Sequence, residues 1–298
     1  MGEITDALRR ARVGDAAQQP ERPRPGADGP ERLPFLPGYP ADEPEPKRRL
    51  ERAMAREPGR RASLSVEKRG LWMPRLVVAD GHSAAAESVR HLALRLRREL
   101  ESRHARSCAV VSALRQEGKT TLACNLALAL AFFGQGRSVA LVDLDLRNPT
   151  VGKCLELPRE AGIEQAIRGE RSLCEVCISI DRPGLDVYPV HTAQRDPQEL
   201  LAAPGLAAAL RELDQSYEIV LIDTPPVLLV PDAAVILGHV GAAVAVARAG
   251  RTMRKAFESM RELLPAGRLL GSILNEGELP TREGHYGYYG EENEGSAG

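Results

Sequence analysis

The segment from Cys108 to Phe133 joins a short apolar stretch, a polar loop and a helix-forming stretch, and this order constrains the fold most. The loop ends in Gly118-Lys119-Thr120-Thr121. In such an arrangement the backbone N–H groups of the loop, the N-terminus of the following helix and the lysine surround the phosphates of a nucleotide. Ala113 occupies the place of the first glycine in the pattern G-x-x-x-x-G-K-[ST]. The loop alone therefore does not decide whether this segment binds phosphate.

The remainder of the chain alternates between short aliphatic segments and segments with helical spacing. Strands are predicted at 108–111, 139–142, 185–188, 219–222, 242–247 and 269–274, with a further extended piece at 76–78. Helices are predicted at 84–103, 120–133, 162–168, 173–178, 197–201, 205–213, 232–237 and 252–264. Near-continuous aliphatic strands between helices are typical of a parallel sheet covered on both faces. The prediction is an α/β fold, a three-layer sandwich around a mostly parallel central sheet.

The globular part is expected to span residues 71–278, and the composition changes on either side of it. Residues 1–70 combine a short amphipathic helix at 2–13, a Pro-, Gly- and charge-rich linker that we expect to be disordered, and most of a basic run that extends over 47–75. The basic run is either a solvated charged segment, which is the simpler interpretation, or a segment attracted to an anionic membrane face. Residues 279–298 are rich in Gly and Glu and predict a flexible tail.

Composition argues against several classes of protein. The net charge of −1 gives no argument for a nucleic-acid partner. The sequence has no stretch of about 18 apolar residues, so no membrane span is predicted. No secretory signal is recognisable, and five cysteines at scattered positions fit a reduced environment, so we expect a cytoplasmic protein. Cys174 and Cys177 lack a second ligand pair, which favours two structural thiols over a zinc or redox site.

Three aspartates follow predicted strands. Asp143 and Asp145 come directly after one aliphatic strand, and Asp223 comes after another. In parallel sheets, ligands bind beyond the carboxyl ends of the strands, where the Gly-Lys-Thr-Thr loop also lies. Carboxylates beside bound phosphates are unfavourable unless a cation lies between them, and Mg²⁺ is the usual one. The combination predicts a nucleotide site with a magnesium ion.

The aspartates belong to two longer motifs, which read Asp143-Leu144-Asp145-Leu146-Arg147 and Asp223-Thr224-Pro225-Pro226. In form and order these motifs resemble the second Walker motif and the Walker B motif of the bacterial tyrosine kinase (BY-kinase) family, the autokinases of capsule and exopolysaccharide synthesis. The resemblance covers about residues 80–290. It implies a P-loop NTPase fold, ATP as phosphate donor, Mg²⁺ as cofactor and protein tyrosines as acceptors.

Half of the six tyrosines lie close together near the C-terminus, at Tyr286, Tyr288 and Tyr289. The surrounding glycines and glutamates cannot form a packed element, so we expect these side chains to be mobile. The BY-kinase resemblance implies that such a cluster is autophosphorylated between subunits. Each phosphate would add about −1.5 to −2 charge at neutral pH.

The resemblance also implies a role for each site residue. Lys119 would neutralise the β- and γ-phosphates of ATP. The magnesium ligands would be Thr120, Asp145 and Asp223, directly or through water, and Asp143 would accept the proton of the incoming tyrosine. The remaining nucleotide contacts are assigned to Glu117, Gly118, Thr121 and, at the adenine, Asn275.

Two features depart from the BY-kinase pattern. Arg115 and Gln116 replace a Pro-Gly pair of the family loop, and a side-chained residue forced to positive φ costs about 1–2 kcal/mol. ATP binding would then weaken about tenfold, which is compatible with a slow kinase or a nucleotide sensor. In the first predicted helix, Glu87 and Arg90 fit the motif through which subunits form rings, but Ala93 replaces its last arginine. A homo-oligomer formed through Glu87 and Arg90 is therefore expected from an incomplete form of this motif.

Two other functions stay open at the level of sequence. A MinD/ParA-like ATPase shares the general layout, although Leu114 occupies the place of its signature lysine. A low-turnover ATP-binding regulator of polysaccharide export is the second. Under the BY-kinase resemblance, a chain without a membrane span implies the cytoplasmic form, which a separate transmembrane polysaccharide co-polymerase recruits to the inner face of the cell membrane and activates.

Overall fold

The computed structural model describes residues 64–65, 76–77, 83–133, 138–158, 160–182 and 184–277. The predicted helix at 2–13, the linker and most of the basic run lie outside these residues. The tail tyrosines Tyr286, Tyr288 and Tyr289 also lie outside them. Among the helices that the structure describes, none is long and apolar enough to cross a lipid bilayer.

Eight strands in the described part of the chain form one sheet. They are β1 (Leu64–Ser65), β2 (Ser107–Ser112), β3 (Val139–Asp143), β4 (Ile178–Arg182), β5 (Leu185–Tyr188), β6 (Ile219–Asp223), β7 (Ala242–Arg248) and β8 (Leu269–Asn275). Their order across the sheet is β1-β4-β5-β3-β6-β2-β7-β8. Neighbouring strands are parallel except for β4 and β5, which are antiparallel and are joined by a tight turn at Gly184. The sheet is mostly parallel, as predicted.

Helices cover both faces of this sheet. Those described are α1 (Ala84–Ser102), α2 (Lys119–Phe133), α3 (Val151–Cys154), α4 (Ile163–Ile167), α5 (Leu173–Val176), α6 (Gln198–Ala202), α7 (Pro204–Ser216), α8 (Asp232–Gly238) and α9 (Arg254–Leu263). Alternate residues of β2 enter two different core clusters, because side chains of a strand point to opposite faces in turn. One cluster includes residues of α4, α7, α8 and α9, and the other includes residues of α1 and α2. The predicted three-layer α/β architecture is confirmed.

Helix α1 begins where the sequence predicts, because Ser83 caps it. The Ser83 hydroxyl accepts a hydrogen bond from the Ala86 N–H at 3.1 Å. Buried residues recur every three or four positions along α1 and give it one apolar face, which packs against α2. Helix α2, which follows the loop, is itself apolar on nearly every side because it lies between α1 and the sheet.

Some elements differ from the prediction. The helix predicted over 173–178 ends at Val176, and Ile178 instead begins β4, where Ile178 and Ile180 pack in the same core cluster. Strand β1 has two residues and helix α3 has four, which is too short for a periodic pattern to predict them. The described part of the extended piece at 76–78 is not a strand, although Leu76 packs in the core.

The order of the strands brings three carboxyl ends together. Strand β6 lies between β3 and β2. Asp143, the last residue of β3, is in register with Asp223, the last residue of β6. The chain that leaves β2 enters the Gly-Lys-Thr-Thr loop beside them and continues into α2. The phosphate loop and the aspartate motifs therefore meet at one edge of the sheet, where parallel sheets bind their ligands.

Candidate active site

The loop between β2 and α2 contains two residues with positive φ. Gln116 has φ +64° and Gly118 has φ +88°, so the positive φ predicted at position 116 is confirmed. Gly118 has a further reason to be glycine, because a Cβ atom there would collide with Nδ2 of Asn275. Helix α2 begins at Lys119, and the first N–H groups of a helix have no acceptor within it. Such a helix start suits an anionic ligand.

Lys119 and Asp223 form an ion pair inside the protein. Nζ of Lys119 lies 2.5 Å from Oδ1 of Asp223, and the two side chains are 7% and 0% exposed. The Thr120 hydroxyl donates to Oδ2 of the same carboxylate at 2.6 Å. The Thr150 hydroxyl in turn donates to the Thr120 hydroxyl at 3.1 Å. Both oxygens of Asp223 therefore hold the start of α2.

Asp143 is completely buried at the end of β3. Its Oδ1 accepts the N–H of Asp145 at 3.1 Å, and its Oδ2 accepts the N–H groups of Thr150 and Val151, each at 3.1 Å. Burial raises the pKa of Asp143 well above its usual range, and the neighbouring charge of Asp223 adds to this, while the hydrogen bond from Val151 opposes it. The Asp143 carboxylate thus organises the chain that follows β3.

Asp145 lies just beyond β3 and is also largely buried. Its Oδ1 accepts the N–H of Asn148 at 3.1 Å, which stabilises a turn. Burial raises the pKa of Asp145 to about 6, and the charge of Asp223 adds to the rise, while the charge of Lys119 and the hydrogen bond from Asn148 oppose it. A carboxyl group in this state is costly to ionise unless a cation binds beside it.

The oxygen donors of this cluster suit a magnesium ion held together with a nucleotide. The Thr120 hydroxyl and the carboxylates of Asp145 and Asp223 are hard oxygen ligands, which Mg²⁺ prefers. The site also has more carboxylates than cations, and a bound cation offsets that excess. Within the residues that the structure describes, no three His, Cys, Asp or Glu side chains are placed to hold a metal by themselves. Mg²⁺ fits such a site, because it takes one or two carboxylates and fills its shell with phosphates and water.

Glu117 connects the loop to the chain segment after β7. Its side chain is buried, and its carboxylate accepts the Leu114 N–H at 2.7 Å and the Thr252 hydroxyl at 2.5 Å. Nδ2 of Asn275, at the end of β8, donates to the Glu117 carbonyl at 3.1 Å. With its carboxylate and carbonyl engaged in this way, Glu117 can reach a nucleotide through its backbone N–H, and Asn275 lies beside Gly118.

Arg147, the last residue of the first aspartate motif, fixes the chain beyond Asp145. Its Nε and Nη2 lie 2.6 and 3.2 Å from the two carboxylate oxygens of Asp232, the first residue of α8. Its Nη1 donates to the carbonyl of Arg195 at 3.0 Å. Sequence reasoning assigned no role to Arg147, Asp232 or Thr150. The arginine within the motif was the available signal, but its partner lies 85 residues away.

The helix predicted to mediate assembly presents part of its motif at the surface. Nη1 of Arg90 lies 2.9 Å from Oε2 of Glu87 on the exposed side of α1. Ala93 is 1% exposed and packs in the core beneath α1. Position 93 therefore offers no side chain to a second subunit. A homo-oligomer formed through Glu87 and Arg90 stays a prediction.

The two cysteines with CxxC spacing are part of the fold. Cys174 is half-buried within the short helix α5, and Cys177 is buried directly after its last residue. No disulfide joins any of the five cysteines, all of which lie in the described part of the chain. This placement fits two structural thiols.

Comparison with known proteins matches residues 112–237 to a family model described as an AAA domain. The tyrosine-protein kinase YwqD of Bacillus subtilis is 32% identical over 228 residues, which are 75% of this chain and 95% of the relative. The tyrosine-protein kinase CpsD of Streptococcus agalactiae is 29% identical over 224 residues, 73% of this chain and 97% of the relative. The tyrosine-protein kinase etk of Escherichia coli is 31% identical over 68% of this chain, which is only 28% of etk.

Solved structures of a tyrosine kinase domain and of a chimerical protein are also similar to this chain. The kinase domain of the Escherichia coli tyrosine kinase ETK has a TM-score of 0.63 at 26% identity, over 76% of this chain and 93% of that domain. The chimerical protein CapA2B2 has a TM-score of 0.61 at 27% identity, over 72% of this chain and 92% of that protein. The match to YwqD extends over nearly the whole of that kinase, and the two solved structures have folds similar to that of this chain. The chain belongs to the family of bacterial tyrosine-protein kinases.

Proposed function

We propose that this kinase transfers the γ-phosphate of ATP, with Mg²⁺, to tyrosines in the C-terminal tail of a neighbouring copy. The observation that carries the proposal is the buried cluster of Lys119, Thr120 and Asp223 at the start of α2. Phosphoryl transfer depends mostly on positioning and on neutralisation of charge, and this cluster supplies a cation, a hydroxyl and a carboxylate in one place. The proposed acceptors are Tyr286, Tyr288 and Tyr289.

Within the proposed site, Lys119 binds the β- and γ-phosphates of ATP. Thr120, Asp145 and Asp223 hold Mg²⁺, which neutralises charge on the phosphates when it is bound. The loop contributes backbone N–H groups to the phosphates, and Asn275 contacts the adenine. The position of Asn275 against Gly118 supports this last assignment, because it puts an amide side chain directly beside the loop.

Asp143 is the proposed acceptor for the tyrosine proton. The raised pKa of its carboxyl group supports the assignment, because burial and Asp223 strengthen its affinity for a proton. Both of its oxygens accept backbone N–H groups. Transfer of a proton to Oδ2 therefore requires the N–H groups of Thr150 and Val151 to release it.

The tyrosines inside the domain support the choice of the tail as acceptor. Tyr188 and Tyr217 are 0% and 3% exposed. Their hydroxyls contact each other at 2.8 Å, and Tyr217 donates to Asp186 at 2.6 Å. Hydroxyl groups engaged in this way inside the core cannot reach the active site of another molecule. Of the six tyrosines, Tyr39 and the three in the tail then remain as acceptors.

The family suggests the process that the kinase serves. We infer that autophosphorylation regulates the synthesis and export of a capsular polysaccharide or exopolysaccharide. The partner would be a transmembrane polysaccharide co-polymerase that holds the kinase at the inner face of the membrane and activates it. Contact between copies would involve the face of α1 that carries Glu87 and Arg90. Relatives named as tyrosine-protein kinases, among them YwqD and CpsD, support the kinase activity on which this inference rests.

The test is a phosphotyrosine blot of the purified full-length protein incubated with ATP and Mg²⁺, together with a measurement of ADP release. We expect phosphotyrosine on the wild type, none on a variant truncated before Gly284, and none on Lys119→Met. Lys153→Met is the matched control, because Lys153 is an exposed lysine on α3. ADP release without phosphotyrosine would instead support an ATPase of the MinD/ParA type. ATP binding without either product would support a regulator of low turnover.

A further inference from the structure

Gln116 occupies the first positive-φ position of the phosphate loop, where glycine would be free of strain. The left-handed backbone region disfavours a residue with a Cβ atom, so contacts from outside the loop must hold this conformation. Two arginines at the end of β7 and just after it supply such contacts. They are Arg248 and Arg251.

Each arginine holds a different part of Gln116. Nη2 of Arg251 donates to the side-chain Oε1 of Gln116 at 2.6 Å. Nη1 of Arg248 donates to the backbone carbonyl of Gln116 at 3.1 Å. A glycine at position 116 would keep the second contact and lose the first. The hydrogen bond from Arg251 therefore depends on the side chain of Gln116, which a glycine would lack.

The segment that carries the arginines is itself fixed. Nη2 of Arg248 lies 2.5 Å from Oε2 of Glu276. The Arg248 N–H donates to the Thr252 hydroxyl at 2.8 Å, and that hydroxyl donates to Glu117 at 2.5 Å. Residues 248–252 therefore form a rigid support against which both Gln116 and Glu117 are held.

The bond between Gln116 and Arg251 lies at the surface. Polar contacts between exposed side chains contribute little to the stability of a fold, because water competes for both partners. Global stability therefore does not explain this contact. What it does fix is the loop conformation two residues before Gly118, which sets the direction of the loop N–H groups.

We propose that Arg251 is a positioning residue for the nucleotide: it holds Gln116 at positive φ and so preserves the phosphate-binding shape of a loop that lacks glycine at this position. The inference rests on the proposed binding of ATP by this loop. It predicts that Gln116 and Arg251 act as one unit. With glycine at position 116, the loop reaches the same shape without help and Arg251 becomes dispensable.

The test is a double-mutant cycle on the full-length protein, with the dissociation constant of Mg-ATP measured by titration calorimetry. The four proteins are the wild type, Arg251→Ala, Gln116→Gly and Gln116→Gly/Arg251→Ala. We expect Arg251→Ala to weaken binding by about 3- to 10-fold in the wild-type background and by less than about 2-fold in the glycine background. Arg251→Lys should retain part of the affinity, because an ammonium can donate to Oε1. Arg254→Ala is the control, since Arg254 is highly exposed and pairs with Glu258 on α9.

An equal loss in both backgrounds would overturn the inference, because it would mean that Arg251 contacts the nucleotide directly. An unchanged affinity for Arg251→Ala would also overturn it. Thermal unfolding should give the same midpoint for the wild type and Arg251→Ala, and a large drop would assign Arg251 a structural role instead. Because the cycle measures binding alone, these outcomes are independent of phosphate transfer, on which the proposed function depends.

Discussion

Nζ of Lys119 and Oδ1 of Asp223 lie 2.5 Å apart, although the two residues are 104 positions apart in the chain. The sheet order explains the contact, because β6 runs beside the strand that feeds the phosphate loop. Asp143 and Asp145 lie near this pair, and the charge of Lys119 acts on both of them. One lysine therefore balances three carboxylates in a buried space.

This imbalance predicts unequal effects of removing either partner. Lys119→Met leaves the carboxylates without a cation, and we expect the free energy of unfolding in EDTA to fall by about 3 kcal/mol. Asp223→Asn leaves Lys119 beside Asp143 and Asp145, so the loss should be much smaller. Urea denaturation of both variants measures this, with Lys153→Met as a surface control. Equal losses would show that the charge balance does not govern stability here.

The raised pKa of Asp145, about 6, predicts a pH dependence of stability. Between about pH 4 and pH 6 the folded protein retains a proton that the unfolded chain releases, so the metal-free protein should lose stability as the pH rises through this range. Asp145→Asn should remove the share of Asp145 in this loss, while the share of the buried Asp143 remains. The variant should be more stable than the wild type at pH 8, by at most about 3 kcal/mol, while losing phosphate transfer. Thermal unfolding in EDTA at several pH values tests this. A parallel decline in both proteins would contradict the prediction.

The buried tyrosine pair predicts which sites carry phosphate. Tyr217→Phe removes the hydroxyl that contacts Tyr188 and Asp186, and we expect a loss of about 1–3 kcal/mol in the free energy of unfolding. Phosphotyrosine per molecule should stay unchanged in Tyr217→Phe and in Tyr188→Phe. Phosphopeptide mass spectrometry measures both variants. Phosphate on Tyr188 or Tyr217 of the native protein would contradict the prediction.

The three hydrogen bonds of Arg147 predict that lysine cannot replace it. A lysine has no planar pair of donors to match the Asp232 carboxylate while also reaching the Arg195 carbonyl. We expect Arg147→Lys to lower the rate of phosphate transfer by about tenfold or more, because the aspartates beside it lose their position. Arg195→Lys is the matched control, since Arg195 contributes its backbone carbonyl to this contact. Equal rates for the two variants would rule out the positioning role of Arg147.

The sequence was sufficient to predict the strands and helices that have a regular hydrophobic pattern. Aliphatic strands and amphipathic helices have periods that are visible in the chain, and the aspartates at strand ends could be placed together because parallel strands end at a common edge. The positive φ at Gln116 was also predicted, from the glycine that the BY-kinase resemblance implies at this position, and the structure has it.

Other features were beyond prediction for physical reasons. The contacts of Arg147 with Asp232 and of Arg251 with Gln116 join residues 85 and 135 positions apart, and no periodicity indicates such partners. The helix predicted over 173–178 included the first residue of β4 and the rest of this short strand was not predicted, because a few apolar residues fit either period. The burial of Asp143 depends on how the chain turns after β3, which a motif does not specify.

In the proposed reaction, the Lys119 site of one molecule phosphorylates the tail of another. A mixture of two purified proteins tests this transfer. The donor lacks residues 284–298, and the acceptor is the full-length protein carrying Lys119→Met. Mass spectrometry then identifies the tyrosines that carry phosphate. A third protein, with the three tail tyrosines also changed to Phe, serves as the acceptor control. We predict no phosphotyrosine on either protein alone, and phosphate on Tyr286, Tyr288 or Tyr289 of the acceptor in the mixture. An acceptor tail that stays unphosphorylated in the mixture, while the wild type phosphorylates its own, would contradict transfer between molecules.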